Sequence, residues 1–190
     1  MKVGVLSLQG AYRLHADVLT DLGASPVDVR TPDALSGVDA LVIPGGESTT
    51  MSFLLDSSGL RAPLRDALRD GMPALGTCAG MIMLATEVLD GRADQESLGI
   101  VDVTVRRNAF GRQKDSFEAA LDVEGLAGGP FPAVFIRAPF VERAGPEVVV
   151  EASVDGHPVL CRQGAVTVCS FHPELSNDLR LHKRFLEGLS

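Results

Sequence analysis

Residues 74–80, which read ALGTCAG, decide the architecture of this chain. An apolar run ends just before Cys78, and a helical pattern begins just after it. A nucleophile on a sharp strand-to-helix turn needs small neighbours, because other parts of the backbone crowd that turn. Gly76 and Gly80 meet this need. The stretch therefore predicts a buried strand, a tight turn that presents Cys78, and a helix.

Outward from this turn, the first half of the chain alternates short apolar runs with helical patterns. Strands alternating with helices predict βαβ units and a parallel sheet, and right-handed crossovers place helices on both faces of that sheet. The predicted strands are residues 3–8, 27–30, 40–43 and 74–77. The predicted helices are residues 12–22, 60–69 and 79–87, with a further helix that begins near residue 47.

The second half is dominated by strand patterns. Tight turns at Asp155-Gly156 and Gln163-Gly164 predict an antiparallel meander of the last three strands. A closing helix is predicted over residues 178–189, with Ser176 or Asn177 as its N-cap. Because no linker or repeat interrupts the pattern, residues 1–190 are predicted to form one α/β domain with three layers and a mainly parallel central sheet. The predicted strands are residues 100–106, 116–123, 133–136, 148–154, 158–162 and 166–170.

Composition excludes several classes of function. A net charge of -8 repels phosphate backbones, and the lack of Trp beside a single Tyr argues against stacking of bases. No apolar run reaches the roughly 18 residues of a membrane span, and the N-terminus lacks a signal-peptide pattern. Three cysteines without a CxxC pair fit neither a disulfide framework nor a zinc ribbon. We therefore expect a cytoplasmic protein with no nucleic acid or membrane partner.

Cys78 is the candidate nucleophile. A helix N-terminus carries partial positive charge, which favours a thiolate over a thiol. The backbone amide of Ala79 would face an oxyanion formed by attack from Cys78. The alternative interpretation is a buried, inert cysteine beside two glycines that allow close packing.

His172 is the candidate base, because it directly follows the predicted strand of residues 166–170. Catalytic groups of open α/β sheets gather at strand ends, and Pro173 restricts the backbone between His172 and Glu174. Glu174 could then accept a hydrogen bond from the imidazole and orient it towards Cys78. The alternative is a loop histidine beside an exposed glutamate. The remaining histidines are predicted to lie on the surface or in helix packing (His15, His182) or in an exposed hairpin turn (His157).

A glycine-rich loop at residues 44–49, PGGEST, follows the third predicted strand. Its glycines allow backbone amides to approach a ligand, so Gly45 or Gly46 could supply a second oxyanion donor beside Ala79. The loop lacks a GKS or GKT ending, which argues against a nucleotide phosphate loop. An alternative that is compatible with this role is that the loop only begins a helix. The charge of Glu47 would then interact favourably with the helix dipole, and Ser48 would be the N-cap.

Together these motifs resemble the class I, triad-type glutamine amidotransferases, and within them the glutaminase subunits of pyridoxal 5'-phosphate synthase. The GTCAG turn and the later HPE triplet are typical of the superfamily, whereas the LQGA and RNAFGRQ stretches are typical of the subfamily. The resemblance covers nearly the whole chain and is carried by residues 6–11, 44–49, 76–80, 107–113, 136–139 and 171–175.

The resemblance implies a flavodoxin-like fold and hydrolysis of L-glutamine by Cys78, His172 and Glu174. Ammonia would pass to a synthase subunit that makes pyridoxal 5'-phosphate, and no metal or organic cofactor would be needed. Gln9 would lie near the oxyanion region and the subunit contact. A carboxylate of the substrate suits an arginine, and its ammonium suits Glu47. The implied glutamine-binding positions are Gly46, Glu47, Ser48, Arg107, Ile136 and Arg137.

Three alternatives remain open from the sequence. The chain could be the glutaminase subunit of another ammonia-consuming synthase, such as the one that makes imidazole glycerol phosphate. It could be a non-catalytic binding module on the same fold, although an intact set of Cys78, His172 and Glu174 argues against this. It could also be a related cysteine hydrolase that cleaves γ-glutamyl peptides.

Overall fold

A computed structural model describes residues 1–107 and 116–189 of the chain. Residues 108–113 of the RNAFGRQ stretch therefore lie outside the described residues. No helix within the described ranges is long and apolar enough to cross a bilayer. The strands are β1 Lys2–Leu6, β2 Ser25–Val29, β3 Ala40–Ile43, β4 Ala74–Thr77, β5 Ala85–Leu89, β6 Val101–Arg106, β7 Ser116–Leu121, β8 Phe131–Ile136, β9 Phe140–Ala144, β10 Val149–Val154, β11 His157–Gln163 and β12 Val166–Cys169. The helices are α1 Tyr12–Asp21, α2 Pro32–Leu35, α3 Ser48–Ser57, α4 Arg61–Arg69, α5 Ala79–Leu84 and α6 Arg180–Glu187, and a 3-10 turn spans Pro173–Leu175.

The central sheet has the strand order β10-β11-β12-β4-β3-β1-β2 among the described residues. Strands β2, β1, β3, β4 and β12 run parallel, and β10 and β11 extend the sheet antiparallel to β12. The chain passes from β1 to β2 on one side and then to β3 on the other, as in flavodoxin-like sheets. Ligands of such sheets bind at the carboxyl ends of the strands near this reversal.

Side chains of the parallel strands alternate between two apolar layers. Val3 and Val5 of β1 face α1 and α6, whereas Leu41 and Ile43 of β3 face α3, α4 and α5. This alternation follows from the period of two in a strand, and it buries both faces of the sheet. The three-layer α/β fold predicted from the sequence is therefore confirmed.

The antiparallel meander of β10, β11 and β12 was also predicted correctly. Asp155 and Gly156, which join β10 to β11, both have positive φ angles, of 50° and 82°. A two-residue hairpin with positive φ at both positions matches the right-handed twist of the flanking strands. A separate hairpin of β7 and β8 packs beside this region through Phe131 and Phe135.

The sequence prediction was wrong at residues 85–87. The helix that follows Cys78 ends at Leu84, and the chain continues as β5, which pairs with β6 in a second sheet completed by β9. Ala85 already has an extended backbone with ψ of 152°. The β-branched residues Thr86 and Val88 favour a strand here.

The predicted cap of the last helix was also wrong. Leu179 occupies the N-cap position of α6 and makes no side-chain cap. The hydroxyl of Ser176 instead donates to the carbonyl of Pro173 at 2.9 Å and closes the 3-10 turn. Asp178 provides a side-chain hydrogen bond at the start of α6, because its carboxylate accepts from the backbone amide of Arg180 at 3.0 Å.

Candidate functional site

Four neighbouring parallel strands bring the candidate residues to one edge of the sheet. Cys78 directly follows β4, and His172 follows β12, which pairs with β4 so that Cys169 lies beside Thr77. The glycine loop follows β3, on the other side of β4, and Gln9 follows β1. Because parallel strands end at the same edge, residues far apart in the chain meet here.

Cys78 occupies a strained turn between β4 and α5. Its φ of 50° and ψ of -103° lie outside the regions that non-glycine residues favour. Such strain concentrates at functional sites, and a nucleophile elbow requires it. The amide of Cys78 is held by the carbonyl of Cys169 at 2.8 Å, and a Cβ on Gly80 would overlap the carbonyl oxygen of Ile43. The second glycine of the predicted turn is therefore required by a close backbone approach.

His172 and Glu174 form a hydrogen-bonded pair beside Cys78. The Nδ1 atom of His172 donates to Oε1 of Glu174 at 2.7 Å, and both residues are buried. Burial alone would lower the pKa of His172, but its hydrogen bonds with Cys78 and Glu174 raise that pKa to about 10. Burial alone would raise the pKa of Glu174, but the His172 hydrogen bond holds it below its usual value. The pair is therefore an imidazolium and a carboxylate at neutral pH.

The glycine loop lies against this pair. A Cβ on Gly45 would overlap the Cε1 atom of His172 and would lie 3.3 Å from Cβ of Cys78. The carbonyl of Gly45 accepts from the amide of Ala11 at 3.1 Å, and the amide of Glu47 donates to Oε1 of Gln9 at 2.8 Å. The loop after β1 thus holds the loop after β3 in place.

Glu47, rather than Ser48, caps α3. The Glu47 carboxylate accepts from the amides of Thr49 at 3.1 Å and Thr50 at 2.7 Å. Burial would raise the pKa of Glu47, but these bonds and the Thr50 hydroxyl lower it to about 2. The expectation that Ser48 caps this helix was wrong, because a glutamate one position earlier reaches the same orphan amides and also matches the helix dipole.

A cleft of about 440 Å³ opens over Cys78. Gly45, Ala79 and Glu174 are not among its wall residues, and Ile82 is a wall residue that the sequence had not indicated. The walls consist of Gln9, Gly46, Glu47, Ser48, Cys78, Ile82, Arg107, Ile136, Arg137 and His172.

This chain is similar to known proteins over nearly its whole length. The SNO glutamine amidotransferase family matches residues 5–190. The chain belongs to that family. It is 56% identical over 192 residues to the pyridoxal 5'-phosphate synthase subunit PdxT of Rhodococcus jostii, a match that covers 97% of this chain and 95% of the relative. It is 58% identical over 190 residues to the protein of the same name from Acidothermus cellulolyticus, covering 97% of this chain and 92% of the relative. A crystal structure described as a glutamine amidotransferase superposes with a TM-score of 0.92 at 48% identity, covering 98% of both chains.

The two cleft arginines of this glutamine amidotransferase differ in their surroundings. Arg107 is already engaged, with Oε1 of Gln95 at 2.8 Å and Oε1 of Glu47 at 3.2 Å. Arg137 is exposed and has a positive φ of 43°, and it makes no ion pair with any other described residue. Within residues 1–107 and 116–189, Arg137 is therefore the cleft arginine without an ion pair, and its guanidinium can bind an anionic group.

Two site-adjacent histidines were not identified from the sequence as part of the site. His15 and His182 are fully buried. The prediction that they take part in helix packing is therefore correct, and the alternative prediction that they lie on the surface is wrong. Both lie behind Glu174, where Nδ1 of His15 is 2.9 Å from Nε2 of His182. Their place on the apolar stripes of α1 and α6, beside Leu19 and Leu181, was the available signal.

The three cysteines are expected to differ sharply in reactivity. Cys78 lines the cleft, whereas Cys161 and Cys169 are fully buried. Burial, with the negative charge of Glu151, raises the pKa of Cys161 to about 12, and burial raises that of Cys169 well above its usual value.

Iodoacetamide should therefore add one group to the folded protein, at Cys78, and three to the denatured protein. Mass spectrometry of peptides checks this, and a modified Cys161 or Cys169 in the folded protein would contradict it.

Proposed function

We propose that this chain hydrolyses L-glutamine to L-glutamate and ammonia, and that it supplies the ammonia to a pyridoxal 5'-phosphate synthase subunit. The observation that carries the proposal is the meeting of the strained Cys78 with His172 in one cleft, with Glu174 hydrogen-bonded to the imidazole of His172. The names of the curated relatives support the choice of synthase.

In the first half-reaction, the thiolate of Cys78 attacks the side-chain amide carbon of glutamine and forms a C–S bond. The carbonyl π electrons move to oxygen, and backbone amides of Ala79 and of Gly45 or Gly46 stabilise that oxyanion. One such donor is worth about 3 kcal/mol. His172, which is protonated at neutral pH, gives its proton to the amide nitrogen as the C–N bond breaks, and ammonia leaves.

In the second half-reaction, neutral His172 takes a proton from water as the water oxygen attacks the thioester carbon. The C–S bond then breaks and sulfur leaves as the Cys78 thiolate, which restores the thiolate and the imidazolium. The new carboxyl group loses its remaining proton to solvent, and glutamate leaves. Glu174 orients the ring in both steps and stabilises its positive charge, as the third member of a nucleophile–base–orienter triad.

Substrate recognition follows from the charges around the cleft. Arg137 suits the α-carboxylate of glutamine, because a guanidinium can bind a carboxylate with two parallel hydrogen bonds. Glu47 remains ionised at neutral pH and can accept from the α-ammonium. Arg107 holds Glu47 in position, and the remaining proposed contacts come from Gly46, Ser48 and Ile136.

Apolar residues beside the cleft fit a partner subunit that covers it. Ile136 and Leu175, which flank the site, are 38% and 43% exposed. In this proposal both side chains lie in the surface that the synthase subunit covers. Gln9 holds the glycine loop from the side of the loop after β1, so it would connect partner docking to the oxyanion donors. In this proposal residues 1–190 act as one cytoplasmic glutamine amidotransferase domain without a cofactor.

The test follows heavy nitrogen from the side-chain amide of glutamine into pyridoxal 5'-phosphate. The chain is mixed with the synthase subunit in the presence of excess unlabelled ammonium. We expect glutamate release to rise on addition of that subunit. We also expect the heavy nitrogen to enter pyridoxal 5'-phosphate with little dilution by the unlabelled ammonium in solution. An imidazole glycerol phosphate synthase subunit serves as the control. Equal stimulation of glutamate release by both synthases would contradict the assignment of pyridoxal 5'-phosphate synthase as the partner. No glutamate release with either synthase would overturn the proposed function.

A further inference from the structure

A chain of buried polar contacts continues behind the candidate triad. The Nε2 atom of His15 lies 3.3 Å from Oε2 of Glu174 and 3.2 Å from the hydroxyl of Thr77. The Nδ1 atom of His15 lies 2.9 Å from Nε2 of His182. His15 comes from α1 and His182 from α6, so three distant parts of the chain converge on the rear of Glu174. The proposed reaction uses neither histidine.

These contacts determine which ring nitrogen carries the proton. The hydrogen bond that Nε2 of His15 makes is with the Thr77 hydroxyl, and Oε2 of Glu174 lies beside it at 3.3 Å. An ionised carboxylate only accepts hydrogen bonds, so we assign the hydrogen to Nε2, where the Thr77 and Glu174 oxygens can share it. In a neutral imidazole the other nitrogen is an acceptor, so Nδ1 of His15 accepts from Nε2–H of His182. The reverse tautomers would direct a lone pair at the carboxylate. They would also leave a buried N–H on His182, because its Nδ1 atom has no hydrogen-bond partner among the described residues.

Both histidines are neutral at neutral pH. The groups that face His15 are His182 of α6, Glu174 of the 3-10 turn and the charge of His172. Burial lowers the pKa of His15 despite the attraction of Glu174, and burial lowers the pKa of His182 to about 3. The pair can therefore donate a hydrogen bond to Glu174 without adding a positive charge that would compete with His172.

Oε2 of Glu174 needs such a donor. The other oxygen, Oε1, is bound by His172. Oε2 is fully buried and has no hydrogen bond of normal geometry in the described part of the chain, so His15 Nε2 at 3.3 Å is the ring nitrogen placed to serve it. An ionised oxygen left unpaired in the interior is costly, so a donor at this position stabilises the carboxylate.

We propose that His15, held in its tautomer by His182, is a positioning residue that donates to Glu174 and thereby fixes the carboxylate that orients His172. This inference rests on the proposed glutaminase reaction for its kinetic consequences, but not for its geometry. The cluster does not offer a metal site, because no group of three or more His, Cys, Asp or Glu side chains in the described ranges is arranged to hold an ion.

The kinetic test compares His15→Leu with His15→Gln in the complex with the synthase subunit. Leu fills space but donates nothing, whereas the Gln amide nitrogen can reach about as far as Nε2 of the native ring. We expect His15→Leu to lower kcat for glutamate release roughly 10- to 100-fold with little change in KM, and His15→Gln to recover most of the loss. His157→Leu, in the β10–β11 hairpin, is the matched control and should keep wild-type kcat. Equal impairment of both His15 variants, or an unchanged kcat in His15→Leu, would overturn the inference.

A second readout does not depend on activity. Nitrogen NMR of the histidine rings in the free chain should show the Nε2–H tautomer for His15 and His182, with no titration of either between about pH 6 and pH 8. An Nδ1–H tautomer or an ordinary titration at His15 would overturn the inference even if glutaminase activity is present. Absence of glutamate release from the wild type would count against the proposed function alone, because the NMR result would still decide the role of His15.

Discussion

Replacement of Cys78 by alanine is expected to abolish glutamate release by the complex with the synthase subunit. The loss in kcat should be at least about 10,000-fold, because removal of the nucleophile of a triad leaves only the contributions of binding and the oxyanion donors. KM or Kd for glutamine should change little, because the substitution does not alter Arg137 and Glu47, which are proposed to bind the α-carboxylate and the α-ammonium of glutamine. Glutamate release under saturating glutamine measures the effect.

The same substitution should leave the fold intact. Alanine keeps the Cβ and removes only a sulfur that borders the cleft, so the melting temperature should stay close to that of the wild type. Cys161→Ala provides the control, because Cys161 is equally a cysteine but is fully buried away from the cleft walls. That variant should retain activity and lose some stability through the cavity it creates. A Cys78→Ala protein that keeps more than about a tenth of wild-type kcat would remove Cys78 from the mechanism.

Patterns along the sequence were enough to predict the parallel sheet and the position of Cys78. The reason is that both depend on local information. Short apolar stretches beside proline coincide with β3, which ends before Pro44, and with β4, which begins after Pro73, and the glycines around Cys78 are close to it in the sequence. Strand β12, the last strand of the meander, pairs with β4 and brings His172 to the edge beside Cys78.

The parts that the sequence did not reveal depend on pairing across long separations. His15 and His182 are 167 positions apart, and helical periodicity left a surface or a packed position open for each and could not show that they meet. Strand β5 was interpreted as helix because its first residues continue an apolar helical pattern, and its partner β6 decides the outcome. Likewise, whether Arg107 or Arg137 is free depends on Gln95 and Glu47, which no local pattern connects to either arginine.

The second large effect is expected at Gly45, where a single methyl group should disable the site. Gly45 does not lie in the left-handed region, so alanine can adopt its backbone conformation without strain. The added Cβ would overlap Cε1 of His172 and lie 3.0 Å from its Nδ1 atom. Relief of this overlap would shift the His172 ring from its present position, in which it is hydrogen-bonded to Glu174.

A displacement of about 1 Å between reacting groups can reduce a rate roughly 100-fold. We therefore expect Gly45→Ala to lower kcat by roughly 100-fold or more, with an overpacking cost to stability of about 1–3 kcal/mol. Gly37→Ala is the matched control: its added Cβ has a single neighbour within 4 Å, at 3.8 Å, and the residue is exposed. Kinetics of glutamate release and thermal unfolding of both variants separate the two effects. If Gly45→Ala loses stability but keeps wild-type kcat, then the loop rather than the His172 ring has moved, and the present position of His172 is not the one that catalysis requires.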